Sequence, residues 1–197
     1  MTVAAGGLAG INTGDIDAST ATGDVVVGSQ STAGGFVGRN EGNGRIHASK
    51  ATGNVSAAAE SKVGGFAGMN FGFIETSRAL GRVQTKGVSI AGGFVGYNST
   101  GTIEASHASG DVVSADGGMI GGFAGFSAGN IGTSTATGNV TARYASYAGG
   151  FAGQNTGTIH ASEASGNVSA GHSSVAGGLI GRNRGRVTES RASGSVK

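Results

Sequence analysis

Gly92-Gly93-Phe94-Val95-Gly96-Tyr97-Asn98 is one of seven near-copies of a single phrase, and the distance between copies decides the fold. The Gly pairs that open the copies stand at Gly6-Gly7, Gly34-Gly35, Gly64-Gly65, Gly92-Gly93, Gly121-Gly122, Gly149-Gly150 and Gly177-Gly178, so the repeat is 28 to 30 residues long. A period in this range marks a stacked repeat protein, whose units bury their apolar faces only against one another. The whole chain, residues 1–197, therefore reads as one repeat domain with units starting near residues 6, 34, 64, 92, 121, 149 and 177.

Aligning the units shows which positions are held constant. The Gly pair is followed by Leu8, Phe36, Phe66, Phe94, Phe123, Phe151 or Leu179, and four residues later by Asn12, Asn40, Asn70, Asn98, Ser127, Asn155 or Asn183. A glycine-containing turn leads to Ile16, Ile46, Ile74, Ile103, Ile131, Ile159 or Val187. Counted from that residue, position +3 is always Ser, +5 always Ala, +7 always Gly and +9 always Val. Even positions vary: +4 runs Thr20, Lys50, Arg78, His107, Thr135, Glu163, Arg191 and must face water. Alternation with period two is the signature of a strand with one buried face. A variable segment before the next Gly pair leaves room for one more strand. The expectation is an all-β parallel β-solenoid of seven coils with three short strands per coil.

Composition supports this and excludes other classes. The chain has 42 glycines, no proline and only 12% charged residues, yet it is 37% hydrophobic and too patterned to be disordered. It has no cysteine, which rules out a disulfide scaffold or a cysteine-ligated zinc site. No run of 18 apolar residues occurs, and Met1 to Gly10 lacks the basic start and apolar stretch of a signal peptide. Neither membrane insertion nor a leader is expected.

Stacked coils place equivalent residues one above another at about 4.8 Å, giving seven coils a length of about 34 Å. The Phe residues then form a core column, Phe36, Phe66, Phe94, Phe123 and Phe151, and Asn40, Asn70, Asn98 and Asn155 form a ladder of side-chain amides.

Three stretches carry a family resemblance. Gly92 to Asn98, Gly177 to Asn183 (Gly-Gly-Leu-Ile-Gly-Arg-Asn) and Ser49 to Val55 (Ser-Lys-Ala-Thr-Gly-Asn-Val) resemble the GLUG repeat of large bacterial secreted and surface proteins. That repeat occurs in filamentous haemagglutinin-like adhesins and in the regions preceding the catalytic domain of some immunoglobulin A metallopeptidases. The resemblance spans all seven units, with Phe commoner than Leu after the Gly pair, Ser127 in place of Asn, and Leu80 in place of the small residue at +6. It implies a β-solenoid scaffold, secreted or at the cell surface, without catalytic residues.

A search for chemistry agrees. His47, His107, His160 and His172 never share a column in neighbouring coils, and no zinc motif accompanies them. The outward column Asp17, His47, Glu75, Glu104 reads as a surface charge ladder. Glycine-rich phrases lack the lysine and helix of a phosphate loop. Gly-Asp and Gly-Asn pairs such as Gly23-Asp24 read as turns rather than calcium motifs. A serine repeated in every coil cannot be a unique nucleophile, and no long loop interrupts the repeat as an active site on a solenoid would. An ice-binding face would need uninterrupted Thr columns, which Lys50, Arg78 and Glu163 break. No enzyme activity and no cofactor is expected.

Two surfaces remain as candidates. The first unit is acidic (Asp15, Asp17, Asp24) and the last basic (Arg182, Arg184, Arg186, Arg191), so in-register stacking of one molecule on the next would set Arg186 beside Asp15. The expected partner is a second copy, head to tail. The basic cluster has no interleaved aromatics and is a poor nucleic-acid signature. The second candidate is the outward trio Met69, Tyr97, Phe126, which can pack under the variable segment, pair solenoids laterally, or stack on a sugar ring of a host or matrix glycan. A carbohydrate-binding module is the alternative to the structural and adhesive reading.

Overall fold

The computed structural model describes residues 3–197. It is an all-β parallel solenoid, with five short strands per coil rather than three. In the second coil these are Thr32–Gly34, Val37–Asn40, Arg45–His47, Lys50–Ala51 and Val55–Ala57. Each joins its counterparts in a separate parallel sheet. The first four sheets have seven strands, and the fifth has six plus a bridge between Val168 and Val196. Register follows the alignment residue by residue, for example Asn70↔Asn98, Ile74↔Ile103 and Val83↔Val112.

The extra strands arise because the long alternating run bends twice while keeping its inside–outside alternation. At +2 every unit places a residue in the left-handed region, such as Ala48 (φ 50°), Ala105 (φ 48°) and Glu189 (φ 53°), which turns the chain a corner. At +7 the chain turns again on glycine. A side chain on Gly53 or Gly81 would collide with the carbonyl of the corresponding glycine one coil back, whereas Gly23, in the first coil, faces open space. The +7 glycine is thus demanded by the neighbouring coil, not by the opposite wall of the core. The Phe column also lies off the strands, in the bend between the first and second sheets.

Close approach explains the Gly-Gly-x-x-Gly phrase. A Cβ on Gly96 would fall 2.6 Å from the nitrogen of Val63, and one on Gly38 would fall 2.8 Å from that of Ala5. The first and second sheets therefore pack backbone against backbone, a distance that only glycine permits.

Two cores run along the solenoid. The larger combines the Phe, Ile and +5 Ala columns with the small aliphatics Val37, Ala67, Val95, Ala124 and Ala152. The smaller, between the first and fifth sheets, holds the +9 Val column and Ala33, Val63, Ala91, Ile120 and Ala148. Phe36, Phe66, Phe94, Phe123 and Phe151 are completely buried. Their rings stack at 4.6 to 4.8 Å between centroids, with 2° to 8° between planes. Leu8, which starts the column, is 45% exposed because no described coil covers it.

Candidate functional site: coil ends and outward columns

The coils are sealed to one another by polar columns. Asn12, Asn40 and Asn70 each donate an Nδ2 proton to the Oδ1 of the next Asn at 2.9 to 3.0 Å, and each also donates to a glycine carbonyl in its own turn. Asn155 continues the pattern to Asn183 at 2.9 Å. The invariant +3 serine has a double role. Its hydroxyl donates to the carbonyl two residues back, as Ser49 does to His47 at 2.9 Å, and accepts from the backbone N–H of the serine one coil earlier, as Ser49 does from Ser19 at 3.2 Å. It ties the left-handed corner to itself and to its neighbour, which is why no other residue appears there.

A second serine column, Ser31, Ser61, Ser89, Ser146 and Ser174, does the same work at the corner before the first sheet. Sequence reasoning missed it, although a serine three residues before the Gly pair in five units was a usable signal. The Gly-Asp and Gly-Asn turns form a further column, in which Asp24 Oδ1 accepts from the Asn54 N–H at 2.7 Å and Asp111 Oδ1 from that of Asn139 at 2.9 Å.

The structure divides the predicted end charges. Asp17 is paired with His47 Nδ1 at 2.8 Å, and Asp24 is engaged by Asn54. Arg191 binds Glu163 at 2.8 Å, a hydrogen bond that holds the Glu163 carboxyl below its ordinary range and raises the Arg191 guanidinium. Arg182 lies over the Tyr147 ring, 5.1 Å from its centroid, and donates to its hydroxyl at 3.0 Å. Among the described residues Asp15, Arg184 and Arg186 make no ion pair. Asp15 pairs in register with Arg45, and Arg186 with Thr158, which places Asp15 and Arg186 in one column at opposite ends.

The trio Met69, Tyr97 and Phe126 is half-buried rather than exposed. Its column abuts outward residues of the first sheet one coil earlier, as the 3.9 Å approach of Thr32 Oγ1 to Met69 Sδ shows. Tyr97 and Phe126 stack on each other at 5.0 Å and 12°, so their facing surfaces cover one another, and ring edges are what they turn outward. Gln154, next in the column, is buried.

On the third sheet, Glu104 has its pKa raised, first by partial burial and then by Glu75, with His160 opposing. His107 bonds Thr135 Oγ1 at 2.6 Å, and burial followed by Arg78 lowers its pKa. Among the described residues no group of three His, Asp or Glu is placed to hold a metal ion, and no helix is long and apolar enough to cross a membrane.

Comparison with known families identifies the GLUG motif at residues 2–26, 29–56, 87–113 and 144–169. Comparison with curated proteins and with solved structures gives no match.

Proposed function

Since this chain belongs to the GLUG-repeat family, we propose that it is a non-catalytic structural and adhesive shaft of a bacterial secreted or surface protein, able to stack end to end on a second copy of itself. The observation that carries this reading is the column shared by Asp15 and Arg186. Each end residue shares a column with a counterpart at the far end, so in a stacked pair Asn12 would meet Asn183, Ala4 would meet Val175 and Ile16 would meet Val187. Every Asn-to-Asn rung of the amide ladder donates towards the later coil, so Asn183 would donate onward to Asn12 of the next molecule in the same sense. Among the described residues the strands of the first and last coils, such as Ala4–Gly6 and Arg191–Ala192, pair on one side, and their other edges are ladders that a further parallel coil can continue.

The +3 serine hydroxyls are held in a column that repeats in every coil, and His47, His107 and His160 bond to Asp17, Thr135 and Thr188 respectively rather than to one another. Electron microscopy with light scattering tests the proposal. Rods longer than a single chain are expected at low salt, shortened by Asp15→Arg and by added salt. Compact monomers unaffected by either change would overturn it.

A further inference from the structure

One coil differs from all the others on its solvent face. Between the fourth sheet and the next Gly pair, alternate residues point outward, and in the third unit these are Arg78, Leu80, Arg82, Gln84, Lys86 and Val88, every one exposed. Elsewhere the same positions are mostly small and polar. Arg82 stands where other units have Asp24, Asn54, Asp111, Asn139, Asn167 and Ser195. Lys86 stands where Gly28, Ala58, Ala115 and Gly171 are small, with Arg143 of the fifth unit the one other cation in the column. Leu80 and Val88 are 37% and 60% exposed, and Lys50 adds a fourth cation in register beside Arg78.

No carboxylate forms an ion pair with this band among the described residues: none of Lys50, Arg78, Arg82 and Lys86 lies within salt-bridge distance of an acid. Glu75 sits on the far side of the left-handed corner at Thr76; Asp111, in register beside Arg82, accepts from Asn139, and Glu60, beside Val88, accepts from Gln30. The field is felt locally, since Arg78 helps to depress His107 in the next coil. Cations placed four residues apart at about 3.3 Å per residue are spread over roughly 13 Å intervals at most, with Lys50 about 4.8 Å away along the solenoid axis.

We propose that the outward band of the third unit, centred on Arg78, Arg82 and Lys86, is a recognition surface for a linear acidic polysaccharide. The charge row supplies contacts for sulfate or carboxylate groups spaced along a polymer. Leu80 and Val88 offer apolar contact to sugar C–H faces between them. A nucleic acid fits less well, because the band holds no aromatic side chain on which a base could stack. This site is distinct from the coil ends and does not depend on stacking.

The test is binding of a heparin oligosaccharide to the full chain over a salt series, with uncharged dextran and oligo(dT) as comparison ligands. The triple variant Arg78→Thr, Arg82→Asn, Lys86→Ala introduces only residues that other units carry at these positions, so an unchanged melting curve confirms its fold. Heparin binding should fall at least tenfold in the triple variant, and the slope of log affinity on log salt should shrink by about two to three, as expected when three contacts are removed. The control Arg143→Ala, at an exposed cation of the fifth unit away from both the band and the coil ends, should bind within about twofold of the parent. Unchanged heparin binding by the triple variant, equal binding of dextran, or tighter band-dependent binding of oligo(dT) than of heparin would each overturn the proposal.

Discussion

Asn98 reaches the hydroxyl of Ser127 across 3.4 Å, where Asn70 reaches Asn98 across 3.0 Å, and Ser127 in turn donates to the Gly129 carbonyl rather than to Asn155. The amide ladder is therefore weakened above Ser127 and interrupted below it. The second serine column is interrupted beside it, where Gly118 stands in place of serine. The coil carrying Ser127 therefore lacks rungs in both polar columns.

Ser127→Asn should restore the missing rungs. With a net gain of about 1 kcal/mol per hydrogen bond, it should stabilise the chain by about 1 to 2 kcal/mol and slow amide exchange at Gly129 and Thr156. Chemical denaturation and hydrogen exchange read both effects. No gain in either would show that the column contributes nothing there.

Phe94→Ala removes the centre of the ring stack from a site with no exposure and should cost about 3 to 5 kcal/mol. Phe94→Leu should be much milder, since Leu8 and Leu179 occupy the same column at the ends. Equal losses for the two variants in denaturant midpoint would contradict a volume-filling role.

Gly96→Ala drives a methyl group into the backbone of the first sheet, close to Val63, and should prevent the native stack from forming. Gly42→Ala, at a position facing open space, is the control and should change stability by under about 0.5 kcal/mol. Circular dichroism of both variants decides. A folded, equally stable Gly96→Ala chain would refute backbone-to-backbone packing of the two sheets.

His107 has a lowered pKa, so the folded state prefers its neutral form. Its contribution is complete above the ordinary value of 6.5 and is lost as pH falls below that, through the depressed folded-state value. His107→Thr, which introduces the residue of the next coil, should flatten the acid side of a plot of melting temperature against pH. Glu104 has the opposite sign: its raised pKa means its stabilising contribution is present at acid pH and declines as pH rises past 4.5. Glu104→Gln should therefore stabilise the chain at neutral pH and leave it unchanged at pH 3. A His107→Thr curve parallel to the parent's would refute the first half, and a Glu104→Gln chain no more stable at neutral pH the second.

The sequence made the columns legible because stacking turns a linear period into vertical contact. Phe36 to Phe151 and the amide ladder lie where alignment put them. Strand number was less legible, because alternation survives a bend. Ala48 and Gly53 turn the chain without disturbing which residues face inward, so a period-two pattern cannot report them. The half-burial of Met69, Tyr97 and Phe126 depends on how the first and second sheets fold against each other, and the repeat pattern carries no trace of that angle. The end charges were visible as composition, yet pairing within the chain leaves Asp15, Arg184 and Arg186 as the ones without a partner inside the described chain.

In-register stacking of one chain on the next is tested most directly by a cross-link, because the chain has no cysteine of its own. Ala4 and Val175 share a column at opposite ends and carry no charge, so Ala4→Cys with Val175→Cys leaves Asp15 and Arg186 intact. Neighbouring parallel strands bring such a pair within the Cα separation of about 4.4 to 6.8 Å that a disulfide requires. Mild oxidation should give a regular ladder of covalent multimers for this pair, and none for the off-column pair Ala4→Cys with Thr188→Cys. Monomers with free thiols, or equal cross-linking of both pairs, would contradict end-to-end stacking.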